Sequence, residues 1–262
     1  ASGKHKFAAK LKKAKRPMII IGMGALARAD GAAVLGQSRD IAETYGVVTK
    51  TWNGFNILHS AASRVAGLDM GFVPEKSGLD VEAMCKAAEA GKLDLVWLLG
   101  ADEADLPRLK NAFIVYQGHH GDNGAHHADV VLPGAAYTEK DGIYLNTEGR
   151  VQYANRAAFP PGEAREDWAI LRAFAGVMKI NFGFDSLDEL RELLFRAVPH
   201  FADREMISPT KWVKFGSRAK VKPVKFTTAI DNFYMTCAIS RASETMAECM
   251  RANGTDRAEA AE

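Results

Sequence analysis

The chain alternates short, nearly continuous apolar runs with longer stretches in which apolar residues recur every three or four positions. Pro17-Met-Ile-Ile-Ile-Gly22 is the first run, β-branched and closed by glycine, which predicts a buried strand of a parallel sheet. Leu93-Asp-Leu-Val-Trp-Leu-Leu99-Gly100, Ala112-Phe-Ile-Val-Tyr-Gln117-Gly118 and the shorter Ala128-Asp-Val-Val-Leu-Pro133 repeat that signal. Gly46-Val-Val-Thr49 predicts a further strand after a glycine stop. Helical spacing is present over 31–45, where Val34, Leu35, Ile41 and Ala42 share a face, and over 56–66, with Asn56 as cap. It returns over 81–90, ended by Gly91, over 165–179, and over 186–197, where Ser186-Leu-Asp-Glu189 has the form of a capping box. Strands alternating with helices predict an α/β fold with a mainly parallel, Rossmann-like sheet and right-handed crossovers.

Beyond Pro133 the pattern changes. Residues 139–151 are rich in Gly, Asn and Thr and predict an irregular excursion or a hairpin. Pro160-Pro161-Gly162 breaks the chain, 201–226 is basic and weakly periodic and so extended, and the alanine- and charge-rich end from 246 is expected to fray. Three regions result: a lead-in at 1–16, a Rossmann-like α/β domain at 17–180, and a helical and extended docking segment at 181–262. The lead-in holds Lys4, Lys6, Lys10, Lys12, Lys13, Lys15 and Arg16 and no acid. Mitochondrial targeting segments are also basic and acid-poor, but they favour Arg; the Lys-rich run here reads as a surface helix over 7–15.

Composition narrows the function classes. With 47% hydrophobic and 25% charged residues the chain has the content of an ordinary globular protein, and no apolar run reaches membrane-spanning length. A net charge of +2, from 34 basic and 32 acidic residues, gives no global argument for binding nucleic acid. Cys85, Cys237 and Cys249 are too few and too scattered to hold an iron–sulfur cluster alone, and read as reduced thiols.

Gly22-Met-Gly24-Ala-Leu-Ala27 stands between a strand and a helix, as a dinucleotide-binding turn does, but Val47-Val48-Thr49-Lys50 brings no acid to the next strand's end. His119, His120, His126 and His127 with Asp122 invite a metal reading; adjacent histidines cannot easily face one ion, so a polar loop at the carboxyl end of a strand is the expectation. Glu139, Asp141 and Glu148 lie in glycine-rich loop sequence without a nucleophile. No G-x-S-x-G, P-loop or H-E-x-x-H occurs, so no catalytic or metal-binding residue is assigned. Trp52, Trp97, Trp168 and Trp212 read as core or interface aromatics, and the basic run from Lys211 to Lys225 as a protein-docking segment.

The run from Ala128 to Pro133, with Glu139 and Asn146-Thr-Glu-Gly-Arg-Val-Gln152, resembles the molybdopterin oxidoreductase superfamily. Tyr116-Gln-Gly-His-His-Gly-Asp122, Leu132-Pro-Gly-Ala-Ala-Tyr-Thr-Glu-Lys140, Phe233-Tyr-Met-Thr236, Ile239-Ser-Arg-Ala-Ser243 and Thr245-Met-Ala247 are similar to the large iron–sulfur subunits of respiratory complex I, NADH:ubiquinone oxidoreductase. Asn56-Ile-Leu-His59 and Arg165-Glu-Asp-Trp168 support the same resemblance, which runs from Arg16 to Cys249; His126 and His127 depart from its pattern.

The resemblance implies the C-terminal part of such a subunit. Its cluster-bearing N-terminal portion would sit on another chain, and other peripheral-arm subunits would be neighbours. It implies a degenerate molybdopterin-type domain with no cofactor of its own, the iron–sulfur clusters and FMN lying in neighbouring subunits. Gly22, Gly24, Gly100, His119, His120 and Asp122 would then be remnants of a cofactor site. It also implies the matrix side of the mitochondrial inner membrane, without membrane insertion. The alternative is part of a working molybdenum enzyme such as a formate dehydrogenase. A half-subunit of this kind is expected to show open sheet edges and exposed apolar surface.

Overall fold

The computed structural model describes residues 3–259 except 63, 227, 229 and 231, and side chains as far as 253. It divides into two compact units, one of Ala1–Ala66, Leu145–Val151 and Asp203–Asp231, the other of Gly67–Tyr144, Gln152–Ala202 and Asn232–Glu262. Residues 17–180 are therefore shared between two units.

The first unit opens with the expected basic helix, α1 (Ala8–Lys13), followed by β1 (Ile19–Gly22), the four-residue α2 (Met23–Leu26), α3 (Gly31–Thr44) and β2 (Phe55–Leu58). β1 and β2 pair in parallel, with Ile19 opposite Phe55 and Gly22 opposite Leu58. This corrects two sequence expectations. Asn56 lies within a strand and caps no helix, because Phe55 packs its ring against Trp212 and Phe215 at 5.3 and 5.4 Å and fixes the run as a strand beside β1. Residues 46–49 form no strand: Val48 makes one isolated bridge to Asn53, and Gly54 N–H donates to the Val47 carbonyl. The segment is the reversal that feeds β2, with Gly46 at φ +66° ending the preceding helix. Short apolar runs do not distinguish strand from helix by periodicity alone.

On α3 the buried face is made by Gly31, Ala33, Gly36, Arg39 and Ala42 rather than by Val34, Leu35 and Ile41. Small residues are needed there because the basic 211–225 segment crosses the helix at backbone contact. A Cβ on Gly36 would lie 2.2 Å from the Ser217 carbonyl oxygen, and Gly216 opposite takes φ +72°. Arg39 Nη1 donates to the Phe215 carbonyl at 2.5 Å, Arg28 donates to the carbonyls of Lys222 and Val224, and Asp30 accepts from the Lys222 N–H. Arg28 and the Lys222 N–H together hold the Asp30 carboxyl at about 2. The docking segment thus docks its backbone within its own unit, while Lys211, Lys214 and Lys220 stay exposed.

The second unit follows from α4 (Arg64–Asp69). Its elements are α5 (Val81–Glu89), β3 (Leu95–Leu99), β4 (Phe113–Gly118), α6 (Asn123–His127), β5 (Val130–Pro133), the hairpin β6 (Gly142–Leu145) and β7 (Val151–Ala154), α7 (Asp167–Val177), α8 (Leu187–Ala197), α9 (Ala238–Arg241) and α10 (Glu244–Glu259). Ser186 with Glu189 closes the expected capping box, and Asp80, which the sequence reading did not single out, caps α5 by accepting from the Ala83 N–H. β3, β4 and β5 form a parallel sheet in that order. Leu98, Ile114 and Tyr116 face a core completed by Cys85, Ala88, Leu106, Leu109 and Ala112. The other face carries Trp97, whose ring meets Phe174 of α7 edge-on at 4.9 Å. The α/β class holds, but the parallel strands lie in two separate sheets rather than one. The chain end expected to fray is helical in its backbone to Glu259, and 260–262 lie outside the described residues.

Candidate functional site

Ligands of open α/β sheets bind beyond the carboxyl ends of the strands. In the second unit that edge is made by Gly100 after β3, by the loop 119–122 after β4, and by Gly134 after β5. Four of the six residues singled out from sequence meet here: Gly100, His119, His120 and Asp122. Gly22 and Gly24 belong to the first unit, where the expected open turn is replaced by α2: Gly22 has an ordinary φ of −76°, and helix begins at the next residue. Gly100 takes φ +57° as the chain leaves β3, and its N–H donates to the Gln117 carbonyl at 2.7 Å.

A cleft of about 410 Å³ lies at this edge, lined by Gly118, His119, His120, Ala125, Pro133 and Glu139 among others. His119 and His120 bring their Nδ1 atoms to 2.6 Å, so one ring must donate to the other. Burial, then His120 and Lys140, depress the His119 pKa, which favours the neutral ring. Glu139 is turned back on its own loop, accepting from the Ala136 N–H at 2.9 Å. His126 and His127 donate through Nδ1 to the carbonyls of Asp122 and Asn123, one helical turn earlier. Among the described residues no group of three or more His, Cys, Asp or Glu side chains could hold a metal ion.

Tyr116 faces the core just before this edge. It is buried, and a Cβ on either Gly118 or Gly124 would lie 2.3 Å from its ring or hydroxyl, so both positions must lack one. Burial, then the nearby Asp102 and Asp122, push its pKa up. Those two carboxylates are the strongest electrostatic feature of the edge, and sequence reasoning missed the residue that answers them. Arg241, from α9, donates through Nη2 to Asp102 and through Nε to Asp122, each at 2.5 Å. Asp102 is 7% exposed. Burial acts to raise the Asp122 pKa, but Arg241 and the Asn123 N–H outweigh it and hold it below the usual carboxylate range. Arg241 is raised in turn, its own burial being outweighed by the two acids.

Beside this clasp lies a second buried network that the sequence did not flag. Gln117, fully buried, accepts from the Trp97 Nε1–H at 3.2 Å and donates to Asp167 Oδ1 at 2.9 Å, and Asp167 is also paired with Lys140. Lys140 and Arg241 are thereby each committed to a carboxylate of the protein.

The molybdopterin oxidoreductase family model matches residues 1–177, more than half of the 262 residues, and the chain belongs to that family. Within the family the similarity is narrower: a model for the C-terminal region of the NADH-ubiquinone oxidoreductase G subunit matches residues 207–249. The G subunit of the NADH-quinone oxidoreductase of Rickettsia felis is 45% identical over 252 residues, covering 96% of this chain and 36% of the relative. The NADH-ubiquinone oxidoreductase 75 kDa subunit of Reclinomonas americana is 41% identical, with 95% and 36% covered. The mitochondrial NADH dehydrogenase (ubiquinone) iron-sulfur protein 1 of Solanum tuberosum is 42% identical, with 95% and 33% covered. The chain therefore spans about a third of the length of these relatives. They do not favour the formate dehydrogenase alternative. Among the described residues no helix is long and apolar enough to cross a membrane.

Proposed function

We propose that this chain is the structural, non-redox C-terminal portion of the large iron–sulfur subunit of complex I, in the peripheral arm on the matrix side of the mitochondrial inner membrane. The observation that carries it is similarity along 96% of the chain to the G subunit of an NADH-quinone oxidoreductase, including a segment matched by the model for that subunit's C-terminal region. The molybdopterin-type fold then serves as a scaffold. It packs against the cluster-bearing N-terminal portion and other peripheral-arm subunits and helps hold the redox chain in place, while clusters and FMN lie in those neighbours.

A pterin dinucleotide, the group the family implies, does not fit the carboxyl edge of β3–β5. In the cleft its pyrophosphate would meet Glu139 and a His119 favoured neutral, with Arg241 and Lys140 already paired. Arg241 and Lys140 could meet an anion only by giving up their own carboxylates, which leaves those acids without a counter-charge. At this edge the C-terminal segment ties Asp102 and Asp122 together through Arg241.

The test is to tag the chain in its native source, purify it in mild detergent, identify its companions by mass spectrometry, and count iron and molybdenum. Complex I subunits with a polypeptide or segment bearing the cluster cysteines, together with iron and no stoichiometric molybdenum, support the reading. Recovery alone, or with one molybdenum per chain, refutes it.

A further inference from the structure

The cleft that sets an incoming anion against Glu139 suits a ligand of the opposite charge. At about 410 Å³ it has the volume of a small-molecule site, and its lining lies wholly in the second unit. Most of the wall is small and apolar, from Gly118, Ala125, Pro133, Ala136 and Pro161. The polar side chains in it are His119, His120 and the half-buried Glu139. Glu139 Oε2 accepts from the Ala136 N–H at 2.9 Å, and among the described residues no hydrogen bond or ion pair uses its second oxygen. With the histidine Nδ1 atoms 2.6 Å apart, one neutral ring donates to the other and keeps an acceptor lone pair on its own Nε2. Besides His120, the charged side chains acting on His119 are Lys140, Asp167 and Glu139. Lys140 and Asp167 pair with each other, so Glu139 is the charge left uncancelled. Arg165, beside the lining Ala164, is bonded to Glu163 and to the Gly162 and Ala164 carbonyls.

We propose that this cleft binds a small organic cation, a primary ammonium on a short apolar body, with Glu139 and one imidazole of the His119–His120 pair accepting its N–H bonds. The inference goes beyond the scaffold role and does not depend on it, since every residue of the site lies in this chain. An ammonium group offers three donors and no acceptor, which matches a carboxylate oxygen and an imidazole lone pair. The bond to the carboxylate is charge-assisted and is the stronger of the two. The apolar body meets the alanine and proline walls, which offer no side-chain polar group to satisfy. A carboxylate ligand of the same shape would meet Glu139 with like charge.

The experiment titrates the tagged full chain at neutral pH with three probes of one shape, benzylammonium, benzyl alcohol and benzoate, and reads binding by ligand-detected NMR. Benzylammonium should bind saturably, benzyl alcohol about tenfold more weakly, and benzoate not at all. Glu139→Gln keeps an oxygen for the Ala136 N–H but removes the charge. It should weaken benzylammonium about tenfold and leave benzyl alcohol unchanged. Glu75→Gln, at an exposed carboxylate outside the cleft, should change neither. The order of the three probes on the unaltered chain needs no variant, so it decides the matter even if the Gln variant fails to fold. Equal binding of all three, preference for benzoate, no saturable binding, or indifference to Glu139→Gln overturns the proposal. The titration is then repeated on the purified native assembly, where retained binding is expected. Binding by the chain alone that is lost in the assembly would give the cleft to a neighbour's cationic side chain and overturn the small-molecule assignment.

Discussion

The two parallel sheets arise from the same kind of sequence, short apolar runs closed by glycine, yet they end in different states. In β3–β5 one face is filled by Cys85, Ala88, Leu106 and Leu109, and at the carboxyl edge Arg241 bonds Asp102 and Asp122. In β1–β2 one face is packed by Phe215 and Trp212, and the other leaves Met18, Ile20 and Leu58 in solvent. Intrinsic strand signal is equal in the two; what differs is the second face, where β3–β5 has Phe174 on Trp97 although Leu95, Leu99 and Phe113 remain 48%, 47% and 48% exposed. The core of β3–β5 is thus the better filled of the two.

The sharpest break of this comparison is a core truncation on each side. Leu98→Ala should cost about 2–5 kcal/mol, because the side chain is buried against packed neighbours. Ile20→Ala in the isolated chain should change stability by less than about 0.5 kcal/mol, since it leaves little buried surface behind. Urea unfolding of the two variants measures both; equal losses would erase the contrast.

Next in size is the clasp. Arg241→Ala leaves Asp102 buried without its cation and should cost about 2–4 kcal/mol, read as lost amide protection over α9 and the start of α10. Arg241→Lys should recover only part, because one ammonium cannot serve both carboxylates as the guanidinium does.

Acid should open the same contact. The Asp122 pKa is depressed in the folded state, so its contribution is fully present above the ordinary carboxylate value of about 3.9 and is lost as pH falls through its folded value. Asp30, held at about 2, loses its part in tethering the 211–225 segment in the same direction. Both segments should become protease-sensitive between about pH 4 and pH 2. Their release on raising the pH instead would contradict the assigned pairs.

The smallest effect is expected where charge is plentiful but exposed. Replacing Lys211, Lys214 and Lys220 with Ala should shift the melting free energy of the chain by less than about 0.5 kcal/mol. A larger loss would mean that their ammonium groups, not the Arg28 and Arg39 bonds to backbone, hold the segment.

Much of the second unit was legible in the sequence because its signals are local. β3, β4 and β5 follow from apolar runs, α5 from helical spacing ended by Gly91, α8 from its Ser186 capping box, and the irregular stretch from 139 resolves into the β6–β7 hairpin. The first unit was less legible. Val47-Val48-Thr49 and Phe55-Asn-Ile-Leu58 are both short and apolar, and only the rings of Trp212 and Phe215, far along the chain, decide which becomes the strand. The site was half visible: strand–loop order put the loop of His119, His120 and Asp122 at the carboxyl end of a strand, and the family resemblance added Gly100. Arg241 was not, because it reaches its acids across 119 and 139 residues of sequence. Its only signal was its place within the Ile239-Ser-Arg-Ala-Ser243 stretch of the family resemblance.

Hydrogen exchange of the chain alone and within its purified native assembly tests this difference between the two sheets most directly. Amides of Ile19–Gly22 and Phe55–Leu58 should exchange quickly in the isolated chain and slow markedly in the assembly, while those of Leu95–Leu99 and Phe113–Gly118 stay protected in both. Equal protection of β1–β2 in the two samples, or loss of β3–β4 protection in the isolated chain, would contradict the account.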